Sequence, residues 1–168
     1  AAIRLMWFKV YHPAIFYAVY FTVRGADIDY EAAVGGVRVA KEHLRDNERI
    51  PKEERTAKDD DALVSLQLEN EMLQRGCQFL PIELGKSHAS KYVVEDGKVR
   101  LPFTALRGLG EAAAVALEEA TIHGQEYISI EELQQASGVA SSVFDKLRAV
   151  GALGNLPETS QVDLFSLM

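Results

Sequence analysis

The chain has 168 residues, of which 48% are hydrophobic, and its formal net charge is −7. This composition supplies a packed core for one or two domains and excludes a compositionally disordered protein. The single cysteine, Cys77, excludes an internal disulfide and a cysteine-rich zinc site, so we expect a reducing, cytoplasmic location.

The first 23 residues are apolar, but Arg4, Lys9, His12 and Pro13 interrupt them before a run of about 20 apolar residues is reached. We therefore predict no membrane span or signal peptide, but two buried helices over residues 1–11 and 13–23. Their aromatic residues recur at helical spacing, which indicates core packing. Because the chain lacks an initiator methionine and begins within this pattern, we expect it to be part of a longer chain.

Two further helices are predicted before Gly76. One covers residues 31–46, and the stretch DNERIPKEERTAKDDD at residues 46–61 is typical of a mobile charged linker. Asp59, Asp60 and Asp61 could suggest a metal site, but carboxylates also stabilise a helix N-terminus. We interpret them in the second way, at the start of a helix that runs to Arg75.

The pattern changes after Gly76. CQFLPIEL predicts an extended segment, and KYVVEDGKVRL predicts a β-hairpin that turns at Asp96-Gly97. Three helices then follow, at residues 110–123, 130–136 and 140–150, and Ser129 with Glu132 forms the capping box of the middle one. The predicted fold class is mainly α with a small β-hairpin (α+β), with a domain boundary near residues 97–102.

The stretch LRGLGEAAAVALEEA at residues 106–120 carries the clearest chemistry. A Gly-apolar-Gly turn that opens into a helix leaves backbone N–H groups pointing outward, where the helix dipole favours an anion. Gly108 and Gly110 permit close approach, Leu109 anchors the turn, and Arg107 adds a positive charge. A single Gly-x-Gly is weak evidence, because any helix can begin with glycine.

A second turn strengthens this interpretation. Gly138, Val139 and Ala140 stand where a degenerate Gly-apolar-Gly copy would be. Residues 84–110 also contain five basic residues against two acidic ones, a net charge of +3, so the rest of the chain carries −10. A pair of helix-hairpin-helix units would bind duplex DNA through backbone amides. The predicted DNA-binding residues are Lys91, Lys98, Arg100, Arg107, Gly108, Leu109, Gly110 and Gly138.

The closing segment PETSQVDLF raises two alternatives. Either its apolar side chains fold back into a groove of this protein, or they form a peptide that binds a groove on another protein.

Three blocks of the sequence resemble one family in that family's order. WFKVYHPAIFYAVYFTVR, RGCQFLPIELGKSHASKYVVEDGKVRLPFTALRGLGEAAAVAL and LRAVGALGNLPETSQVDLF are similar to the C-terminal part of the bacterial replicative DNA polymerase III alpha subunit, closest to the Gram-positive PolC type. The resemblance implies the end of the fingers subdomain at residues 1–75, a connector with the first hairpin strand at 76–96, a tandem helix-hairpin-helix module at 97–156 and a flexible tail at 157–168.

The same resemblance implies a function for the tail. The family carries a sliding-clamp-binding peptide of the form Gln-Leu-x-Leu-Phe at its C-terminus. Gln161, Leu164 and Phe165 match it, whereas Val162 stands in place of Leu and three residues follow Phe165. The implied partners are duplex DNA, the clamp (beta subunit) and the remainder of the polymerase chain, with no membrane.

Catalytic residues are not predicted in this chain. A polymerase of this family needs palm carboxylates that hold two Mg²⁺ ions, and no stretch here resembles them. The four histidines are too scattered to indicate a metal site or base. We therefore expect an inactive segment of a nucleotidyltransferase, without a cofactor of its own. Two other classes stay open: a non-enzymatic helical adaptor and a DNA-repair helix-hairpin-helix protein.

Overall fold

In the computed structural model, which describes residues 1–25 and 28–159, the first part of the chain is helical. The helices are α1 (Ala2–Tyr11), α2 (Pro13–Arg24), α3 (Tyr30–Glu48) and α4 (Ala57–Gln74). Pro13 is the first residue of α2, a position where the backbone N–H is not needed for the helix. These helices agree with the predicted ones to within a few residues, except at the charged stretch between α3 and α4.

The aromatic residues of α1 and α2 differ in burial. Tyr17 and Phe21 of α2 are 0% and 2% exposed, and the Phe21 ring packs against the ring of Phe79. No residue of α1 is buried, and Trp7 is 53% exposed. The prediction of a buried pair is therefore right for α2 and wrong for α1, because in the described part of the chain α1 packs mainly along α2.

Half of the predicted charged linker at residues 46–61 is helix. α3 continues to Glu48, and α4 begins at Ala57 after a capping box between Thr56 and Asp59. In the short connection, the Arg55 guanidinium donates to the backbone and side-chain oxygens of Asn47, each at 2.9 Å, and pairs with Asp60 at 2.9 Å. These local hydrogen bonds give the charged residues ordered positions that composition alone does not indicate.

A small sheet lies between the first four helices and the last three in chain order. It contains β1 (Phe79–Leu80), β2 (Val93–Glu95) and β3 (Lys98–Arg100), in the order β1-β3-β2. β3 pairs in parallel with β1 and antiparallel with β2. The hairpin turns at Asp96 and Gly97, whose φ angles of 51° and 75° are the left-handed values that the Asp-Gly pair predicts.

The last part of the described chain contains α5 (Glu111–Thr121), α6 (Ile130–Ser137) and α7 (Ser141–Ala149). Leu117, Leu133 and Leu147 are each 0% exposed, one from each helix. They belong to a buried cluster that also includes Val99 of β3 and Tyr17 of α2. The predicted class, mainly α with a small sheet, is confirmed.

The division into domains stays a prediction. β3 lies at the predicted boundary and pairs with strands on its N-terminal side. Among the helices of residues 1–25 and 28–159, none combines the length and the apolar character needed to cross a bilayer.

Candidate nucleic-acid interface

The first glycine turn joins a single 3-10 turn, Phe103–Ala105, to α5. Gly108 has a φ of 77°, in the left-handed region that favours glycine. Leu109 is 5% exposed and lies in the core, as predicted. Gly110 is the N-cap of α5, with extended φ and ψ of −70° and 157°. A Cβ atom at Gly110 would meet no atom of the described residues within 4 Å, so among these residues this side of the turn is open.

The second turn, between α6 and α7, repeats this conformation. Gly138 has a φ of 66°, Val139 is 6% exposed, and Ala140 is the N-cap of α7 with φ and ψ of −63° and 146°. The order is the same in both turns: a left-handed glycine, a buried apolar residue and an extended N-cap. The structure therefore supports the sequence interpretation of residues 138–140 as a copy of residues 108–110.

The helices that follow these turns begin without a side-chain cap. Neither Gly110 nor Ala140 offers a side-chain acceptor to the first-turn N–H groups of α5 and α7. By contrast, Ser129 caps α6, and its next two amides donate to the backbone oxygens of Pro157 and Glu158 at 2.9 and 3.1 Å. The amides of α6 are thus occupied within the chain. In α7 the Val143 amide donates to the Ala140 carbonyl oxygen at 3.0 Å, and the remaining first-turn amides of α5 and α7 keep the anion-binding character of a helix N-terminus.

Arg107 lies beside the first turn but also lines an acidic cleft. This cleft of 420 Å³ is bounded by α3 and α4, and its carboxylates belong to Asp29, Asp46 and Asp59. The side chain of Arg107 is exposed. The negative charge of these three carboxylates weakens the attraction of a phosphate to this cleft.

Two titratable groups that hydrogen-bond to Asp29 have perturbed pKa values. Asp29 caps α3 and its carboxylate lies 2.8 Å from Nδ1 of His43, and this hydrogen bond raises the His43 pKa. Glu69 is 0% exposed; its Oε1 accepts from the Asp29 amide and the Ser65 hydroxyl, both at 3.0 Å. Burial raises the Glu69 pKa to about 8, so this carboxyl group is mostly protonated at neutral pH.

Arg100 does not fit the predicted DNA-binding surface. It is 4% exposed, and its guanidinium donates to both carboxylate oxygens of Glu95, to Glu83 and to the Pro81 carbonyl oxygen, at 2.8–3.1 Å. These bonds lower the pKa of Glu95 and raise that of Arg100. Arg100 is thus committed to the strand network, and the predicted role conflicts with its burial.

Lys91 and Lys98 are exposed, but their neighbours are the sheet and α2. Lys91 lines a cavity of 350 Å³ together with α2 residues such as Val19 and Val23. Lys98 lies opposite Glu95 across the hairpin. These contacts bring neither lysine to a glycine turn, and a DNA contact of either lysine stays a prediction.

Sequence reasoning missed Lys146. This residue of α7 donates from Nζ to the carbonyl oxygen of Gly108 at 3.0 Å, although the two residues are 38 positions apart. The only signal in the sequence was that Lys146 lies on the helix after the second turn. The spacing of residues within one turn cannot reveal a contact with the other turn.

The predicted clamp-binding residues, Gln161, Val162, Leu164 and Phe165, lie outside the described residues. Of residues 1–25 and 28–159, no group of three or more His, Cys, Asp or Glu side chains is arranged to hold a metal ion. Asp29 and Asp59 are engaged with His43 and Thr56.

Both glycine turns lie within a part of the chain that matches a known protein family. A family model for the helix-hairpin-helix motif matches residues 76–162, just over half of the chain. The chain belongs to the helix-hairpin-helix family. In the structure, the turn at residues 138–140 has a full helix on each side, whereas the turn at residues 108–110 has the 3-10 turn before it and α5 after it.

The similarity to curated relatives covers almost the whole chain. The chain is 36% identical over 165 residues to DNA polymerase III PolC-type of Streptococcus agalactiae serotype III, and 34% identical over 164 residues to the protein of that name from Thermotoga maritima. Each match covers 98% of this chain, but only 11% and 12% of the relatives. The recognition of a PolC-type segment is confirmed, and the chain spans about a ninth of the length of these relatives.

Proposed function

We propose that this chain is the duplex-binding segment of a replicative DNA polymerase and acts in DNA replication. The observation that carries the proposal is the repeated backbone conformation at residues 108–110 and 138–140, each followed by a helix without a side-chain cap. Two such turns would bind two phosphates through backbone amides, which fix the position of a duplex without reading its sequence. This mode of binding suits an acidic chain, because it needs few basic side chains.

The test is a titration of labelled duplex DNA at several salt concentrations. Gly110→Val should weaken binding more than Lys91→Ala, because it puts a branched side chain in the open space before α5 while its φ of −70° suits valine. Ala57→Val is a matched control at the exposed start of α4. Equal loss in the two test variants, or an affinity that does not depend on salt, would refute the proposed phosphate contacts.

This titration also separates the proposal from its alternatives. A helical protein-interaction adaptor would not bind duplex DNA in a salt-dependent way. The apolar residues of α1 and α2 instead support packing against further polymerase residues, since the PolC-type relatives are about nine times as long as the match. The similarity over residues 1–75 disfavours a DNA-repair protein. A cytoplasmic location follows from the same proposal.

We further propose that residues 161–165 bind the sliding clamp. An extended peptide with one amide and two apolar anchors suits a polar notch beside a hydrophobic cleft. Alanine at both Leu164 and Phe165 should cost about 2 kcal/mol or more per anchor, without lowering the melting temperature. Val162→Leu should tighten binding. A lowered melting temperature, with no clamp binding by the parent chain, would instead favour a groove on this protein.

In this proposal the catalytic Mg²⁺ ions of the whole polymerase lie outside this chain. The chain contributes no catalytic residue and only positions the duplex and the clamp.

A further inference from the structure

Lys146 connects the second helix-hairpin-helix unit with the first. Its Nζ lies 3.0 Å from the Gly108 carbonyl oxygen, and a Cβ atom added to Gly108 would overlap it. Val143, Phe144 and Leu147 of the same helix are 8%, 2% and 0% exposed. Because these side chains anchor α7 in the core, the backbone that carries Lys146 is held in place.

In the described part of the chain, no carboxylate forms an ion pair with the ammonium group of Lys146. Arg148 of the same helix, by contrast, pairs with Glu158 at 2.9 Å. A lysine ammonium has three N–H donors, and the Gly108 oxygen accepts only one. Two donors and a full positive charge thus remain beside the first turn, on a side chain that is only partly exposed.

The position of this charge differs from those predicted from the sequence. Arg107 shares its cleft with three carboxylates, and Arg100 is buried in ion pairs. Lys146 instead contacts the carbonyl oxygen of Gly108, two residues before the Gly110 N-cap of α5 and its uncapped amides. A phosphate oxygen bound by those amides would lie close to an ammonium group, and such charge-assisted hydrogen bonds are about twice as strong as neutral ones.

We propose that Lys146, which belongs to the second unit of the same chain, binds the phosphate at the first turn. The inference rests on the proposed duplex binding. It makes the two units interdependent, because the first turn obtains its cation from α7. It also assigns to Lys146 the role beside the first turn that the sequence suggested for Arg107.

The experiment measures duplex affinity against salt for the whole chain and for Lys146→Gln, Lys146→Arg and Lys41→Gln. The slope of log affinity against log salt changes by about 0.9 for each phosphate that the protein ceases to neutralise. Lys146→Gln should reduce the slope by about that amount, which makes its loss of affinity about threefold larger at 50 mM than at 200 mM salt. Lys146→Arg should keep the slope. Lys41→Gln, an exposed charge on α3, should leave it unchanged.

A bracing role without DNA contact gives a different result. Glutamine can still donate to the Gly108 oxygen, and a variant that only disturbed the turn would lose affinity by the same factor at every salt concentration. An unchanged slope for Lys146→Gln, or a change equal to that of Lys41→Gln, overturns the inference. If the parent chain does not bind duplex DNA, both the proposed function and the inference are overturned. If Gly110→Val weakens duplex binding but Lys146→Gln does not change the salt slope, only the role of Lys146 is overturned.

Discussion

Replacement of Glu69 by glutamine should change how stability depends on pH. Glu69 is a fully buried carboxyl group of α4 whose Oε2 has no hydrogen-bond partner among residues 1–25 and 28–159. Its Oε1 accepts from Asp29 and Ser65. Glutamine keeps that acceptor and cannot ionise, so the substitution removes the titration and retains the hydrogen bonds to Asp29 and Ser65.

The magnitude follows from the pKa difference between the folded and unfolded states. Burial raises the folded-state pKa of Glu69 from 4.5 to about 8, so the folded state keeps a proton that the unfolded state releases. The stabilising contribution is complete below pH 4.5 and is lost as pH rises through 8. At 1.36 kcal/mol per pKa unit, the limit is on the order of 5 kcal/mol. Water entry and relaxation reduce it, and we expect roughly 2–4 kcal/mol.

The assay is urea unfolding at pH 5, 7 and 9. At pH 5 the parent and Glu69→Gln should have similar free energies of unfolding, and at pH 9 the variant should be more stable by roughly 2–4 kcal/mol. The hydrogen bond to Asp29 raises the His43 pKa, so its contribution is also lost as pH rises, but equally in both proteins. Glu119→Gln, at an exposed position of α5, is the control. Parallel pH profiles for the parent and Glu69→Gln would refute the argument.

Three further results are expected. Gly138→Ala should lower the free energy of unfolding by about 1–2 kcal/mol, because alanine is disfavoured at the φ of 66° that this turn requires; calorimetry that shows no loss would contradict the role of this conformation. Arg100→Met should cost roughly 3 kcal/mol in urea unfolding, since it breaks a buried ion-pair network, and it should leave the salt slope of duplex binding unchanged; a reduced slope would return Arg100 to the DNA surface. With Mg²⁺, primer-template and nucleotides, the isolated chain should incorporate no nucleotide, and extension that persists after removal of contaminating polymerases would contradict the absence of catalytic residues.

Local features of this protein were predictable from the sequence. The Asp96-Gly97 hairpin, the start of α2 at Pro13 and the two glycine turns each depend on residues a few positions apart. In these places φ is limited by Cβ sterics and by nearby hydrogen bonds, which short motifs determine. The resemblance of three sequence blocks also indicated the polymerase segment that the PolC-type relatives confirm.

The roles of the charged and apolar side chains were decided by tertiary structure. Arg100 and Lys146 are both basic residues near a predicted turn, yet one is buried against Glu83 and Glu95 and the other contacts Gly108, 38 residues away. The exposure of Trp7 and the burial of Glu69 likewise depend on which distant element packs against each residue. Burial and charge pairing depend on neighbours in space, and periodicity along the chain determines the face of a helix but not what covers that face.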